Sequence, residues 1–163
     1  MSADVQTIFL KHGPALLGYL VRRVENPEDA ADLLSETFLI AWRRRSDVPS
    51  PPDDRPWLYG VARHVIANQQ RATRRRHAAT RALAALVLQV TTSASELSID
   101  ARRALARLDP LDREIMTLSA WEVLTSSEIA RVVDLPPSTV RARLARARAV
   151  VRSAIAIEDV PSV

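Results

Sequence analysis

Apolar residues recur every three or four positions along most of this 163-residue chain, which is the spacing of one face of an α-helix. The clearest run comprises Ala30, Leu33, Leu34, Thr37, Phe38, Ala41 and Trp42. No segment alternates apolar and polar residues as a half-buried strand would, and there is no internal repeat. The pattern therefore predicts an all-α fold.

Proline and capping residues predict where the helices of the first half begin. Pro14 can occupy the first position of a helix that follows a short one over residues 5–9. Asn26 and Pro27 are the expected N-cap and first residue of the helix that carries the apolar run. Residues 46–54 hold three prolines and predict a loop.

Two helical domains are predicted from the composition of the segments between the helices. Asp54 can cap a helix that ends in arginines near Arg76. The chain then becomes Ala-rich and afterwards Thr- and Ser-rich, which is typical of a flexible linker. The predicted divisions are a domain over 1–78, a linker over 79–97, a second domain over 98–157 and a tail over 158–163.

The second domain contains the pattern of a helix-turn-helix unit. Thr125 and Glu128 can form a capping box at the start of a short helix. A four-residue connection over 134–137 then leads to a long helix rich in arginine. Asp134 lies where glycine is usual, and an aspartate can adopt the left-handed conformation. Val140 is expected to be the inward anchor of the long helix.

The outward side of this long helix is the candidate DNA-reading surface. Arginine there can bond to O6 and N7 of guanine or neutralise phosphate. The same residues would also fit a solvated amphipathic helix, because arginine is a good helix former. The residues expected to face outward are Ser138, Thr139, Arg141, Ala142, Arg143, Ala145 and Arg146.

Composition excludes several classes of function. Cysteine is absent, so there are no disulfides, thiolate metal sites or cysteine nucleophiles. The three glycines all precede residue 61, which disfavours a Gly-rich phosphate loop. The three histidines lack metal-ligand spacing and no nucleophile elbow is present, so we expect no enzyme, metal or cofactor. Without an apolar run of spanning length or a signal segment, a soluble cytoplasmic protein with no membrane insertion is expected.

The net charge of +4 is a sum over segments of opposite sign, with one lysine and 22 arginines. Residues 25–42 contain five acidic residues and no basic one. Residues 55–95 contain seven arginines and residues 135–157 contain five, with no acidic residue in either segment. Arginine suits phosphate and guanine recognition, although a genome rich in G+C would also favour its codons. The blocks indicate three surfaces with different partners.

Three motifs in order give the chain a resemblance to a known family. Residues 29–42 read DAADLLSETFLIAW, residues 55–63 read RPWLYGVAR, and residues 108–118 read LDPLDREIMTL. With the helix-turn-helix, they resemble regions 2.2, 2.3–2.4 and 4 of an extracytoplasmic-function (ECF) RNA polymerase sigma factor. The resemblance implies two helical domains that bind the β′ and β subunits of core RNA polymerase, recognise the −35 and −10 elements of promoter DNA and help to open it. It implies no catalytic activity, and an anti-sigma factor is a candidate further partner.

The resemblance also assigns a docking role to the first acidic segment. In the family, the region 2.2 helix docks on a coiled coil of the polymerase β′ subunit. Acidic residues here could also complement the helix dipole, which accounts for those in the first turn but not for Asp32 or Glu36. Ser35 departs from the glutamine usual in the family. The docking residues implied are Asp32, Leu33, Glu36, Thr37 and Leu39.

The first arginine-rich segment resembles the part of the family that reads the −10 element. The loop before Trp57 would capture an unstacked base, and the helix after it would read the element. Trp57 and Tyr59 can stack on bases or belong to the core. His64 and Asn68 depart from the asparagine and aspartate common in the family. The implied contacts are Arg63, His64, Asn68, Arg71, Arg74 and Arg75. Arg74 and Arg75 would contact phosphate, or they could form a solvated helix end.

A stand-alone helix-turn-helix regulator that binds duplex operator DNA as a dimer is the alternative function. Such a regulator needs neither a polymerase-docking face nor a strand-capturing loop. Residues 29–42 and 55–63 therefore favour the sigma factor.

Overall fold

The computed structural model describes the backbone of residues 4–84 and 99–158 and the side chains of residues 4–73 and 103–155. These residues form helices and no strand, so the all-α prediction is confirmed. The chain divides into two units between residues 94 and 95. Most of the predicted linker and tail lies outside the described residues. The helices are α1 (Val5–Val21), α2 (Pro27–Arg43) and α3 (Asp54–Ala84) in the first unit, and α4 (Ile99–Ala106), α5 (Pro110–Ala120), α6 (Ser126–Val133) and α7 (Pro137–Glu158) in the second.

Helix α1 runs through Pro14, so the prediction of a helix start at this residue is wrong. The helix begins earlier because the Asp4 side chain caps it, accepting a hydrogen bond from the backbone N of Gln6 at 3.1 Å. Ile8 and Leu16, before and after the proline, are buried, whereas Pro14 is exposed. Burial of this continuous apolar face outweighs the roughly 3 kcal/mol that a proline costs inside a helix.

Helix α2 begins as predicted and packs against both other helices of the first unit. The Asn26 side chain accepts a hydrogen bond from the backbone N of Glu28 at 3.1 Å, and Pro27 is the first helical residue. The ring of Phe38 meets that of Phe9 edge to face, with 4.7 Å between centroids. A second edge-to-face pair, Tyr19 and Tyr59, joins α1 to α3 at 5.1 Å and is fully buried.

The second unit is built around α7, which packs against α4, α5 and α6. Asp109 caps α5, since its side chain accepts a hydrogen bond from the backbone N of Asp112 at 2.9 Å. The Arg113 guanidinium closes the end of α4 by donating to the backbone oxygens of Leu105, Ala106 and Leu108 at 2.9, 3.3 and 3.1 Å. The apolar core includes Ile115, Leu118, Ile129, Val132, Val140, Leu144 and Ala147.

Candidate nucleic-acid interface

The predicted helix-turn-helix is present in α6, the connecting turn and α7. The capping box is complete: Glu128 N donates to Thr125 Oγ1 at 3.3 Å, and Thr125 N donates to Glu128 Oε2 at 2.8 Å. Asp134 ends α6 in the left-handed region with φ 56°, as expected, and Leu135 N donates to Ala130 O at 3.0 Å. This turn directs the chain into α7, where Val140 is fully buried as predicted.

The outward face of α7 retains most of the predicted DNA-reading residues. Ser138, Arg141, Ala142, Ala145 and Arg146 are exposed, and Thr139 is half-buried. Small side chains therefore alternate with arginines along one side of the helix. A helix of this kind can approach base edges closely while arginines reach guanine or phosphate.

Arg143 does not face outward, which corrects the prediction for this residue. Its Nη1 lies 2.7 Å from Asp112 Oδ1 and 3.6 Å from Asp109 Oδ2, and its side chain is 27% exposed. The reason is helical geometry, because a residue one turn from the buried Val140 and next to Leu144 lies at the edge of the packed face. The two carboxylates belong to the N-cap and the first turn of α5, against which that edge packs.

Helix α3 presents a second polar face, on which His64, Asn68 and Arg71 are exposed. Their spacing of four and three residues places them on one side of the helix. The Arg71 guanidinium donates a hydrogen bond to Asn68 Oδ1. Arg63 is half-buried beside this face. The predicted phosphate contacts Arg74 and Arg75 belong to α3, but their side chains lie outside the described residues.

The two aromatic residues at the start of α3 have different environments. Tyr59 is fully buried against Tyr19, so it belongs to the core and is not available to stack on a base. Trp57 is half-buried, and the Arg44 guanidinium carbon lies 5.7 Å from the centroid of its ring. One side of this indole is thus paired with a cation of the preceding loop.

The acidic face of α2 keeps three of the five predicted docking residues at the surface. Asp32, Glu36 and Leu39 are exposed. Leu33 is 2% exposed and Thr37 is fully buried, with Thr37 Oγ1 donating to Leu33 O at 2.7 Å. These two residues belong to the core and not to a docking surface, because they lie on the side of α2 that packs against α1 and α3.

Sequence reasoning missed one surface residue of α2, Trp42, which it placed in the apolar run. Its side chain is 57% exposed. Trp42 follows the exposed Leu39 by three residues, and Leu39 follows Asp32 by seven. This spacing puts all three on one side of the helix and was the available signal. Asp32, Glu36, Leu39 and Trp42 are called the acidic docking face below, after the role that the family resemblance implies for this side of α2.

An ionic cluster around the buried Asp54, which was not predicted from the sequence, fixes the start of α3. His12 Nε2 lies 2.9 Å and Lys11 Nζ 3.6 Å from Asp54 Oδ2, while Arg55 N donates to Asp54 Oδ1 at 2.9 Å. Burial opposes ionisation of Asp54. The hydrogen bond and charge of His12, the Arg55 N–H and the charge of Lys11 together outweigh it and hold the pKa of Asp54 below its usual value. The cluster joins α1 to the end of the loop before α3.

The described residues contain neither a metal-ion site nor a membrane-spanning helix. No three His, Asp or Glu side chains there are grouped so that they could hold a metal ion. None of the described helices is both long and apolar enough to cross a membrane.

Comparison with known proteins shows which family this chain belongs to. The family model for sigma-70 region 2 matches residues 8–76, and the model for sigma-70 region 4 matches residues 98–150. The sigma factor NccH of Alcaligenes xylosoxydans xylosoxydans is 30% identical over 149 residues, which cover 85% of this chain and 80% of NccH. CarQ of Myxococcus xanthus is 32% identical, with 86% and 83% covered. The chain belongs to the RNA polymerase sigma factors.

A further relative is named as an ECF sigma factor, and solved structures share the fold. The ECF sigma factor SigL of Mycobacterium tuberculosis is 26% identical, and the match covers 88% of this sigma factor and 84% of SigL. A match to RfaY of Xanthomonas campestris pv. campestris, at 33% identity, spans only 33% of that protein. The fold resembles RpoE of Bartonella quintana, solved with the anti-sigma factor NepR, at TM-score 0.70, 20% identity and 94% and 98% coverage. It also resembles CnrH, solved with the cytosolic domain of CnrY, at TM-score 0.65, 24% identity and 96% and 89% coverage.

Membership decides between the two functions considered from the sequence. A sigma factor directs transcription initiation. The chain matches both region 2 and region 4 of this family, which favours a sigma factor over a stand-alone regulator. Sigma factors are initiation factors and not themselves catalysts.

Proposed function

We propose that this sigma factor binds core RNA polymerase through the acidic docking face of α2, reads the −10 element with α3 and the −35 element with α7, and helps to open the promoter. The observation that carries the proposal is the separation of charge among exposed faces. The acidic docking face has no basic member, whereas the polar faces of α3 and α7 have arginines and no acidic member. One chain can thereby bind a basic protein surface and DNA without the two surfaces competing.

The acidic docking face has the composition of a protein–protein contact. Leu39 and Trp42 provide an exposed apolar centre, and tryptophan is among the residues that contribute most to binding when it is buried in an interface. Asp32 and Glu36 lie beside them and would steer a basic partner helix, such as the β′ coiled coil. Leu33 and Thr37 act from beneath, because their burial holds α2 in place.

The exposed side of α7 has the composition of a major-groove contact. Ala142 and Ala145 are small enough for close approach and can contact thymine methyl groups. Arg141 and Arg146 are exposed and form no ion pair within the described part of the chain. They can therefore reach guanine or phosphate without breaking an internal contact. Ser138 and Thr139, at the start of the helix, complete the proposed −35 contact.

The proposed −10 contact consists of Arg63, His64, Asn68 and Arg71 on α3, with Arg74 and Arg75 on phosphate. Its polar face begins three turns after the loop in which a base would be captured, and Trp57 lies between them at the junction. Extruding a base costs a few kcal/mol, which contacts to the backbone and to the base offset. The side chains of the face are polar and arginine-bearing, which suits both kinds of contact.

We infer that the protein works in the cytoplasm without catalytic activity of its own, and that an anti-sigma factor is its second protein partner. RpoE of Bartonella quintana was solved bound to one. The exposed Trp42 and Leu39 are the residues that a regulator would have to cover to prevent polymerase docking.

The test of the proposed function is reconstitution with core RNA polymerase. Full-length protein should co-elute with core enzyme on gel filtration, and the complex should give run-off transcripts with a common upstream sequence from genomic fragments. Glu36→Lys, which reverses the charge of the docking face, should reduce co-elution. Glu25→Lys, the same charge reversal at an exposed residue that precedes α2, is the control for a change of charge alone. Tight operator binding without polymerase, with no co-elution, would contradict the proposal.

A further inference from the structure

Arg143 differs in its contacts from the two arginines of the proposed −35 contact. Arg141 and Arg146 are exposed, whereas Arg143 Nη1 is 2.7 Å from Asp112 Oδ1 and 3.6 Å from Asp109 Oδ2. The Asp112 side chain is only 13% exposed. A short bond between two ionised, partly buried groups is among the stronger hydrogen bonds of proteins.

The two carboxylates are themselves fixed by the first turn of α5. Asp109 is the N-cap residue, and its Oδ1 accepts the backbone N–H of Asp112 at 2.9 Å. The positive end of the helix dipole favours carboxylates at this place. The hydrogen bond from the backbone N of Asp112 holds the pKa of Asp109 below its usual value, and the charge of Arg143 acts in the same direction. The carboxylates thus form a preorganised receptor for one guanidinium.

We propose that Arg143 is a positioning residue that sets the orientation of α7 against α5, and that it makes −35 recognition specific without itself contacting DNA. The proposal rests on the proposed function of α7. Asp112 and Arg143 are 31 residues apart and join the first turn of α5 to the second turn of the reading helix. A reorientation of Arg143 toward DNA would leave a nearly buried carboxylate without its partner and facing a polyanion.

The pair predicts an effect of unusual sign at Asp112. By charge alone, removing an acidic residue near DNA strengthens binding. If the pair orients α7, Asp112→Asn instead weakens specific binding, because base-edge contacts depend on the angle of the helix. Non-specific binding depends on charge, so Asp112→Asn should strengthen it. If Arg143 contacts DNA, Asp112→Asn should strengthen specific binding. If Arg143 positions α7, the same substitution should weaken it.

The experiment has two measurements on full-length protein. In the first, binding to a duplex of arbitrary sequence is followed from low to high salt. Arg146→Ala should reduce the slope of log K against log salt by about one, whereas Arg143→Ala should leave it unchanged. An equal reduction by Arg143→Ala would overturn the proposal. This measurement does not need polymerase or a promoter, so it remains decisive if the proposed function fails.

The second measurement uses the complex with core polymerase on a transcribed fragment and on the same fragment with its −35 element scrambled. Asp112→Asn should lower the preference for the intact fragment by about tenfold, within the range of measured pair couplings. Asp112→Arg combined with Arg143→Asp should restore much of it. An unchanged preference in Asp112→Asn, or no recovery in the double variant, would contradict the positioning role. Circular dichroism and thermal unfolding identify variants that fail to fold.

Discussion

The imidazole Nε2 of His12 lies 2.9 Å from the carboxylate Oδ2 of Asp54, and both side chains are almost completely buried. The two residues are 42 positions apart and join α1 to the first residue of α3. The loop over residues 46–53, which we associate with base capture, therefore ends at a fixed point. An element that must present a pocket to an unstacked base gains from such anchoring, because its geometry is set before DNA arrives.

Asp54→Ala should destabilise the first unit by about 3 kcal/mol, because it leaves the buried His12 without its partner. Asp54→Asn should cost less, since an amide oxygen still accepts the hydrogen bond. Urea unfolding of the full-length protein at neutral pH measures both changes. Asp32→Ala, at an exposed site on α2, is the matched control and should change stability by less than about 0.5 kcal/mol. A loss for Asp54→Ala no larger than that of the control would show that the buried pair is not stabilising.

The lowered pKa of Asp54 also predicts how stability depends on pH. A carboxylate with a lower pKa in the folded state stabilises it fully above its unfolded pKa, about 3.9 for aspartate. That contribution disappears as the pH falls through the lower folded pKa. Asp54→Asn lacks the titration, so the stability difference between wild type and variant should shrink on acidification below pH about 4. If the stability difference between wild type and Asp54→Asn stays constant from neutral to acidic pH, the pKa of Asp54 is not lowered in the folded state.

Features that depend on neighbouring residues could be predicted from the sequence better than features that depend on residues far apart in the chain. The caps at Asn26 and Thr125 were predictable, because each bond joins residues two or three positions apart. The first helix was misplaced at Pro14, since a local preference was overridden by burial at positions on both sides. Leu33 and Arg143 were placed on surfaces because helical spacing identifies a face but not where its edge lies. Arg143 finds its carboxylate 31 residues away, and no local pattern reveals that partner.

Val123 adopts a left-handed backbone conformation, with φ 53°, in the turn between α5 and α6. A β-branched residue is strained there, and the side chain is 76% exposed, so little burial offsets the strain. Val123→Asn should stabilise the second unit by about 1 kcal/mol, because asparagine tolerates this region. Thermal unfolding measures the change. Asp134→Val, at φ 56°, is the converse substitution and should be destabilising; a stabilising effect there, or none at Val123, would contradict the argument.

Leu33 and Trp42, on opposite sides of α2, should separate stability from polymerase binding. Leu33→Ala removes a core side chain and should lower the free energy of unfolding by about 3 kcal/mol. Trp42→Ala removes an exposed ring and should change stability little, yet weaken binding to core polymerase by at least about tenfold, as loss of a central interface aromatic does. Urea unfolding and titration of labelled core enzyme measure the two effects. Unchanged affinity of Trp42→Ala for core polymerase would show that Trp42 is not part of the docking face. Because Trp42 is exposed, its replacement should not disturb the fold and so should not obscure this result.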